Sequence, residues 1–340
     1  MRTREGRRSL LFICILAVVL LALLLLSFGL GRYAVPPAEV IRILLSRIFP
    51  VTPSWTEQME TAVISIRLPR ILLACMVGGC LSAAGTAYQS VFRNPMAAPD
   101  ILGASSGACF GAALAILLGF SRSGVTALAF VSSLLSVALV YAIARRAKGN
   151  PVTMLLLAGV MIGSLFSACT SYVKLVADPT NQLPAITYWL MGSLSGTRMN
   201  AVGFAAVPML IGLVPLLALR WRINLLTLDE EEEARSMGVN TGRLRLVVIL
   251  CATVLTAACV AVSGMIGWVG LVIPHLSRKL VGSNCRYLLP ASTIFGAIFL
   301  LLVDNISRNL LATEIPIGIL TAFVGAPFFL YLMTRKEQLL

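Results

Sequence analysis

Long apolar runs recur along almost the whole chain, and short polar or basic segments separate them. Each run approaches the length of about 20 residues that an α-helix needs to cross the hydrocarbon core of a membrane. The fold class predicted is therefore all-α, a polytopic membrane protein with one transmembrane domain over residues 1–340. The ten predicted spans are Ser9–Leu30, Ile66–Phe92, Ala97–Phe120, Val125–Ala144, Met154–Val176, Ala201–Leu219, Leu244–Val262, Trp268–Leu280, Tyr287–Ile306 and Pro316–Met333.

The first apolar run follows four arginines and shares that feature with secretory signals. It exceeds the apolar core of about 7–15 residues that such signals have, and no small-residue cleavage site follows it. We therefore predict a retained first span. The proline-rich connection Arg32–Thr61 comes next, with an amphipathic piece near Glu39–Ile48.

One strongly acidic stretch interrupts the apolar runs. It is Thr227–Asn240, which reads TLDEEEEARSMGVN. Thr227 and Glu230 form a capping-box pattern. The helix dipole stabilises acidic side chains in the first turn, which is where this stretch has them. Gly238 suits the left-handed cap that ends a helix. The stretch predicts a short helix in water, either a plain loop helix between the sixth and seventh spans or a docking helix that passes a soluble partner's movement to the membrane part.

The composition supports a membrane protein, with 58% hydrophobic residues, only 12% charged residues and a mean hydropathy of +0.92. The net charge of +13 does not indicate nucleic-acid binding, because no basic patch is interleaved with aromatic residues. If the N-terminus is cytoplasmic, 18 of the 27 Lys and Arg residues lie on the cytoplasmic side. The positive-inside rule therefore predicts both termini, and the acidic stretch, in the cytoplasm.

Small residues crowd several of the apolar runs, as in GGCLSAAGTA at residues 78–87 and GASSGACFGAA at residues 103–113. In a bilayer such residues let helices approach closely. Two interpretations stay open for them, which are tight bundle packing and a translocation path lined by small side chains.

Catalytic and cofactor motifs do not occur in this sequence. Without GxxxxGK[ST] the chain has no P-loop for ATP, and it has neither HExxH nor GxSxG. The eight cysteines lie mostly in apolar runs without a CxxC, and the single His275 cannot build a metal cage with them. Asp304, with Arg308 one turn later, predicts a structural ion pair rather than a proton relay. We expect no metal, cofactor or catalytic residue in this chain.

Several motifs together resemble the FecCD-type permeases of ABC importers for ferric siderophores, haem or cobalamin. These are RLPR at 67–70, RNPMAAPDILGASSGA at 93–108, LLLAGV at 155–160, MGSLSG at 191–196, LDEEEEARSMGV at 228–239, GLVIPHLSR at 270–278, Asp304, and EIPIGILTAFVGAPFF at 314–329. The resemblance runs from the first span to the last. It implies the type II ABC importer permease fold, translocating a bulky metal chelate.

The resemblance also implies roles for three sets of residues. The first set lies in the coupling loop, at about residues 221–243, which seats in a groove of the ATPase: Asp229, Glu230, Glu231, Glu232, Glu233, Ala234, Arg235 and Gly238. The second set faces the periplasm and pairs with acidic residues of the binding protein: Arg67, Arg70 and Arg308. The third set forms cytoplasmic gates in the turns 94–96 and 150–153: Asn94, Pro95, Met96, Val152 and Thr153.

The partners implied are a second copy of the chain or a close paralogue, a cytoplasmic ABC ATPase dimer that binds ATP and Mg²⁺, an extracytoplasmic substrate-binding protein, and membrane lipid. The implied location is the bacterial cytoplasmic membrane. Two other classes stay open from the residues alone. An ion-coupled secondary transporter or channel would need an intramembrane charge constellation, and a membrane enzyme would need a catalytic one.

Overall fold

The computed structural model describes residues 4–31, 33–50, 52–227, 239–311 and 313–334. These residues form helices joined by turns, without a strand. The predicted coupling residues Asp229–Arg235 and Gly238 lie outside the described residues, so the helix predicted there stays a prediction. The all-α fold class predicted from the apolar pattern is confirmed.

Thirteen α-helices are described, together with one π-helical and one 3-10 segment. They are α1 (Arg4–Gly29), α2 (Pro37–Leu45), α3 (Glu57–Glu60), the π segment Thr61–Arg67, α4 (Leu68–Phe92), α5 (Ala104–Leu117), α6 (Arg122–Arg146), α7 (Pro151–Val176), α8 (Gln182–Leu190), α9 (Met199–Leu219), the 3-10 segment Arg222–Thr227, α10 (Thr241–Ser263), α11 (Val269–Val281), α12 (Cys285–Asn309) and α13 (Ile317–Thr334).

Seven helical segments in the described part are long and apolar enough to cross a membrane. They are Gly6–Gly29, Glu57–Phe92, Arg122–Arg146, Pro151–Val176, Met199–Leu219, Thr241–Ser263 and Cys285–Asn309. The other three predicted spans correspond to the shorter helices α5, α11 and α13. Helix α5 begins at Ala104 rather than Ala97, because the intervening residues form turns that end at Gly103 with a left-handed φ of 75°.

Helix α4 is the centre of the bundle and α1 lies at its edge. In their most apolar windows 83% of the α4 segment is buried, against 11% for α1. Helix α4 crosses α12 at Gly78 and Gly296, where a Cβ on Gly78 would lie 2.2 Å from the carbonyl oxygen of Gly296. Contact this close excludes any side chain at either glycine. At this crossing the small residues serve tight packing, one of the two open interpretations.

The bundle has two chemically different ends. The basic end holds the start of α1, the end of α6 and the α11–α12 connection, and the Ser9 hydroxyl donates to the Val281 carbonyl there at 3.2 Å. Its cations include Arg145, Arg146, Lys148, Arg278 and Lys279. The opposite end, called the far end below, holds the end of α1 and the starts of α4, α6 and α9.

Candidate coupling and gating site

The 3-10 segment Arg222–Thr227 leads into the predicted coupling helix and is bonded to the start of α12. The Asn224 side-chain oxygen accepts from the backbone N–H of Cys285 at 2.7 Å, and its amide donates to Asn284 Oδ1 at 3.0 Å. Asn284 also caps α12, since the same oxygen accepts from the Arg286 N–H at 3.0 Å. The entrance of the loop is thus fixed to a helix terminus by two side-chain amides.

A second attachment joins the loop entrance to the end of α4. Arg93 Nε donates to the carbonyl oxygen of Leu226 at 2.9 Å. Arg93 ends α4 in a left-handed conformation with φ of 49°, which non-glycine residues adopt rarely and at a cost. It directly precedes the predicted gate turn 94–96. Any displacement of Leu226 therefore acts on the residue next to this turn.

The first predicted gate turn is a compact loop at the basic end. Asn94 Oδ1 accepts from the Met96 N–H at 2.8 Å, and the Ala97 N–H donates to the Asn94 carbonyl at 3.0 Å. Asn94 and Met96 are exposed and Pro95 is half-buried. An exposed methionine at this position leaves an apolar side chain available for contact with another surface.

The second predicted gate turn is the N-terminus of α7. Asn150 caps it, since its side-chain oxygen accepts from the N–H groups of Val152 at 2.9 Å and Thr153 at 3.4 Å. A cavity of about 420 Å³ lies between this connection and the start of α10, with Gly149 and Pro151 on one side and Asn240 and Thr241 on the other. The exit of the coupling loop therefore adjoins the second gate turn, as its entrance adjoins the first.

Sequence reasoning assigned no contact or role to the side chains of Arg93, Asn224, Asn240 and Asn284. Asn240 and Asn284 each precede an apolar helix and accept a first-turn N–H, which is the usual asparagine cap. That cap pattern was a usable signal. The Arg93–Leu226 bond spans 133 residues of sequence and carries no local signal.

At the far end, the three arginines predicted for docking lie in a buried cluster. Arg70 Nε donates to Asp304 Oδ1 at 2.8 Å, and its NH1 reaches both Glu314 oxygens at 2.9 Å. Arg308 Nε lies 3.2 Å from Asp304 Oδ2, which is close enough for an ion pair. The two atoms do not form a hydrogen bond with each other. The structural ion pair predicted for Asp304 and Arg308 is present.

Arg67 and Arg308 also bond within the chain. Arg67 donates to the carbonyl oxygens of Phe28 and Tyr33, and Arg308 donates to Asn305. Arg67, Arg70 and Arg308 are only 4%, 5% and 8% exposed. Sequence reasoning placed them facing outwards, and this placement needs correction, because their guanidinium groups are buried and their cost of leaving water is offset by bonds to acceptors inside the chain. Docking by these residues stays a prediction, and their burial counts against direct pairing with a partner.

Among the described residues, no three His, Cys, Asp or Glu side chains lie close enough together to hold a metal ion. The eight cysteines are free thiols, and four of them are buried in the helical core. Their placement agrees with the packing role expected from their apolar surroundings.

Comparison with known proteins gives the family. The sequence profile of the FecCD transport family matches residues 19–335. The molybdate import system permease MolB of Haemophilus influenzae is 41% identical, covering 95% of each chain. The Fe(3+)-citrate import system permease YfmE of Bacillus subtilis is 40% identical, covering 99% of this chain and 98% of the relative. A solved structure described as a metal-chelate type ABC transporter in an inward-facing conformation is 40% identical, with a TM-score of 0.84 over 94% of this chain and 98% of that one. The chain belongs to the FecCD transport family and is a permease of the ABC transporter type.

Proposed function

We propose that this chain is the membrane-spanning permease of an ATP-driven importer and that residues 221–243 form its coupling loop. The observation that carries the proposal is the double attachment of this loop. Its entrance bonds to Arg93 beside the turn 94–96, and its exit at Asn240 shares a cavity with the turn beginning at Gly149. A force applied to the loop reaches the first turn through the hydrogen bond of Arg93, and its exit lies across a cavity from the second turn.

The acidic side chains Asp229–Glu233 supply the docking chemistry in this proposal. Five adjacent carboxylates attract a basic groove on a soluble partner, and complementary charges speed and orient docking. The partner is a pair of ATPase subunits, which bind ATP and Mg²⁺ and hydrolyse the nucleotide. The permease itself needs no cofactor for this role.

The basic end faces the cytoplasm in this proposal, because the predicted topology assigns 18 of the 27 Lys and Arg residues to that side of the membrane. The location is the bacterial cytoplasmic membrane, where lipid covers exposed apolar faces such as that of α1. A second copy of the chain, or a close paralogue, completes the transporter.

An extracytoplasmic binding protein docks at the far end in this proposal. The cluster there contains three arginines, Arg67, Arg70 and Arg308, and two carboxylates, Asp304 and Glu314, which leaves one positive charge in excess. The excess attracts an acidic partner surface without requiring that any internal ion pair break.

The cargo proposed is a ferric siderophore or a related metal chelate, such as haem or cobalamin. The support is the sequence resemblance together with a relative named for ferric citrate and a solved structure described as a metal-chelate type transporter. The relative named for molybdate makes an oxyanion the competing cargo, so both classes belong in the uptake assay.

A charge-reversal pull-down tests the coupling proposal. The tagged chain is purified in mild detergent beside a variant with Glu231, Glu232 and Glu233 changed to Lys. The control reverses three acids at the far end, Glu39, Glu57 and Glu60. We expect an ATPase to copurify with wild type and control but not with the loop variant. Copurification with all three contradicts the role of the acidic stretch.

The main alternative, an ion-coupled transporter, finds little support at Asp304. This carboxylate is fully buried and its oxygens lie 2.8 Å from Arg70 and 3.2 Å from Arg308, which is the arrangement of a structural ion pair. Solute transport by the chain alone in liposomes, with no ATPase in any preparation, would overturn the importer proposal and favour the alternative.

A further inference from the structure

Helix α2, at the far end, carries apolar side chains on two of its faces. Val40 and Ile43 are buried where the helix packs against α1 and the π segment. Helical hydrogen bonding continues beyond the end of α2, since the Phe49 N–H donates to the Leu45 carbonyl at 2.8 Å. A second apolar set, called the outer stripe below, is exposed: Ile41, Leu45, Ile48 and Phe49. These positions are spaced i, i+4, i+7 and i+8, so they share one helix face.

Charged side chains border the outer stripe, and they are paired within the chain. Arg42 lies 3.2 Å from Glu39 and donates to Ser54 at 3.0 Å. Arg47 lies 2.7 Å from Glu60. Because the charge of each arginine is balanced by a carboxylate, the stripe offers little charge for a protein surface to recognise. A helix with one face on its bundle, one apolar face and one charged face fits the boundary between lipid and water.

The end of α1 sets the depth of α2 relative to a bilayer. From Ser9 to Gly29 the helix rises about 30 Å, at 1.5 Å per residue, which matches the thickness of the hydrocarbon core. Arg67 donates to the carbonyl oxygens of Phe28, in α1, and Tyr33, in the connection to α2. These two bonds hold the connection against the bundle. Helix α2 therefore lies beside the end of α1, at the level where the hydrocarbon core ends.

The surface near the outer stripe has the composition of a lipid-facing boundary. Leu25 and Leu26, in the last turns of α1, are exposed. Tyr33 precedes α2 and is exposed, and Trp55 follows it and is half-buried. Tyrosine and tryptophan concentrate where the apolar core of a membrane meets its headgroups. Because α1 and α2 are in contact, lipid that covers the exposed face of α1 also reaches the outer stripe.

We propose that the outer stripe lies in the lipid–water boundary of the leaflet at the far end and anchors this end of the bundle to the bilayer. The inference goes beyond the proposed transport function and requires only that α1 spans the membrane. The partner is the bilayer surface itself, and the paired arginines require no particular headgroup. Since α2 packs against the π segment that ends at Arg67, the anchor also fixes the depth of the arginine cluster.

Spin-label accessibility in liposomes tests this placement. The parent is the full chain with Cys14→Ser, because Cys14 is an exposed thiol and the other seven are buried or half-buried. Ile48→Cys and Leu45→Cys place a nitroxide on the outer stripe, and the labelled parent gives the background. Relaxation by oxygen, which partitions into the bilayer, is compared with relaxation by a nickel chelate, which stays in water. We expect oxygen to have the larger effect at both stripe positions.

Two reference positions calibrate the measurement. Leu25→Cys reports the exposed face of α1, where oxygen should also have the larger effect. Ser54→Cys is the matched control, because Ser54 is exposed and bonds to Arg42 and Glu39 on the charged side of α2. There the nickel chelate should have the larger effect.

Three results would overturn the proposal. A larger nickel effect at the stripe positions leaves the outer stripe in water, open to a soluble protein. Protection from both reagents at these positions indicates contact with a second copy of the chain instead of lipid. A larger nickel effect at Leu25 rejects the predicted first span and the anchor with it. Ile48 is 75% exposed, so a label there leaves packing intact, and if that variant cannot be purified Leu45 decides alone.

Discussion

Removal of the buried charge of Asp304 should destabilise the far end severely. The carboxylate is fully buried, with Arg70 at 2.8 Å and Arg308 at 3.2 Å. Asp304→Asn keeps the shape and one acceptor, but it leaves Arg308 without a counterion and Arg70 with Glu314 alone. Removing one partner from a buried ion pair typically costs about 3–5 kcal/mol. A shift of about 2 °C per kcal/mol, the low end for larger chains, gives a Tm lowered by about 6–10 °C.

Glu314→Gln is the matched control for this prediction. It removes the other carboxylate bonded to Arg70, but its side chain is 29% exposed and solvent screens the charge. We expect a loss of about 1 kcal/mol or less, hence a Tm shift of about 2 °C or less. Both shifts are measured by thermal unfolding of the purified chain in one detergent. Equal Tm shifts for the two variants would refute the argument that burial makes the Asp304 ion pairs contribute more to stability than the partly exposed Glu314 pair.

Two further predictions concern the helix crossing and the loop attachment. Gly78→Ala and Gly296→Ala should each prevent native packing of α4 on α12, seen as loss of monodisperse protein, whereas Gly203→Ala, with nothing within 4 Å of its added Cβ, should purify like wild type. Arg93→Gly keeps the left-handed backbone but removes the guanidinium bonded to Leu226, so uptake per ATP hydrolysed should fall while ATPase copurification persists. Unchanged uptake per ATP would rule out this bond as a link in coupling.

The long helices were predictable because a 20-residue apolar run leaves the backbone only one arrangement that satisfies its hydrogen bonds in lipid. Shorter pieces escaped for local reasons. The turns before Ala104 include apolar residues such as Ala97, Ile101 and Leu102, which extend the apolar run of α5 towards its N-terminus. Helix α8 is too short at nine residues to give a periodic signal.

The interior of the candidate site was less predictable than its location. Sequence alone placed the gate turns and the acidic loop on one side of the membrane through charge counting. It could not pair Arg70 with Asp304, because 234 residues separate them and either residue alone is typical of an interfacial charge. Burial is a property of the packed bundle, which is why arginines predicted at a surface lie inside it.

Helix α4 connects the two ends of the molecule, because Arg70 lies in its first turn and Arg93 ends it. The separation is about 34 Å at 1.5 Å per residue, and most of the segment between them is buried. A buried helix does not shorten, so a displacement imposed at Arg93 shifts or tilts the whole element and reaches the ion pair with Asp304. The effects of Arg93→Gly and Asp304→Asn on uptake per ATP should therefore be non-additive, although sites this far apart normally add within about 0.5 kcal/mol. A double variant whose uptake equals the product of the single effects would show that α4 does not couple the ends.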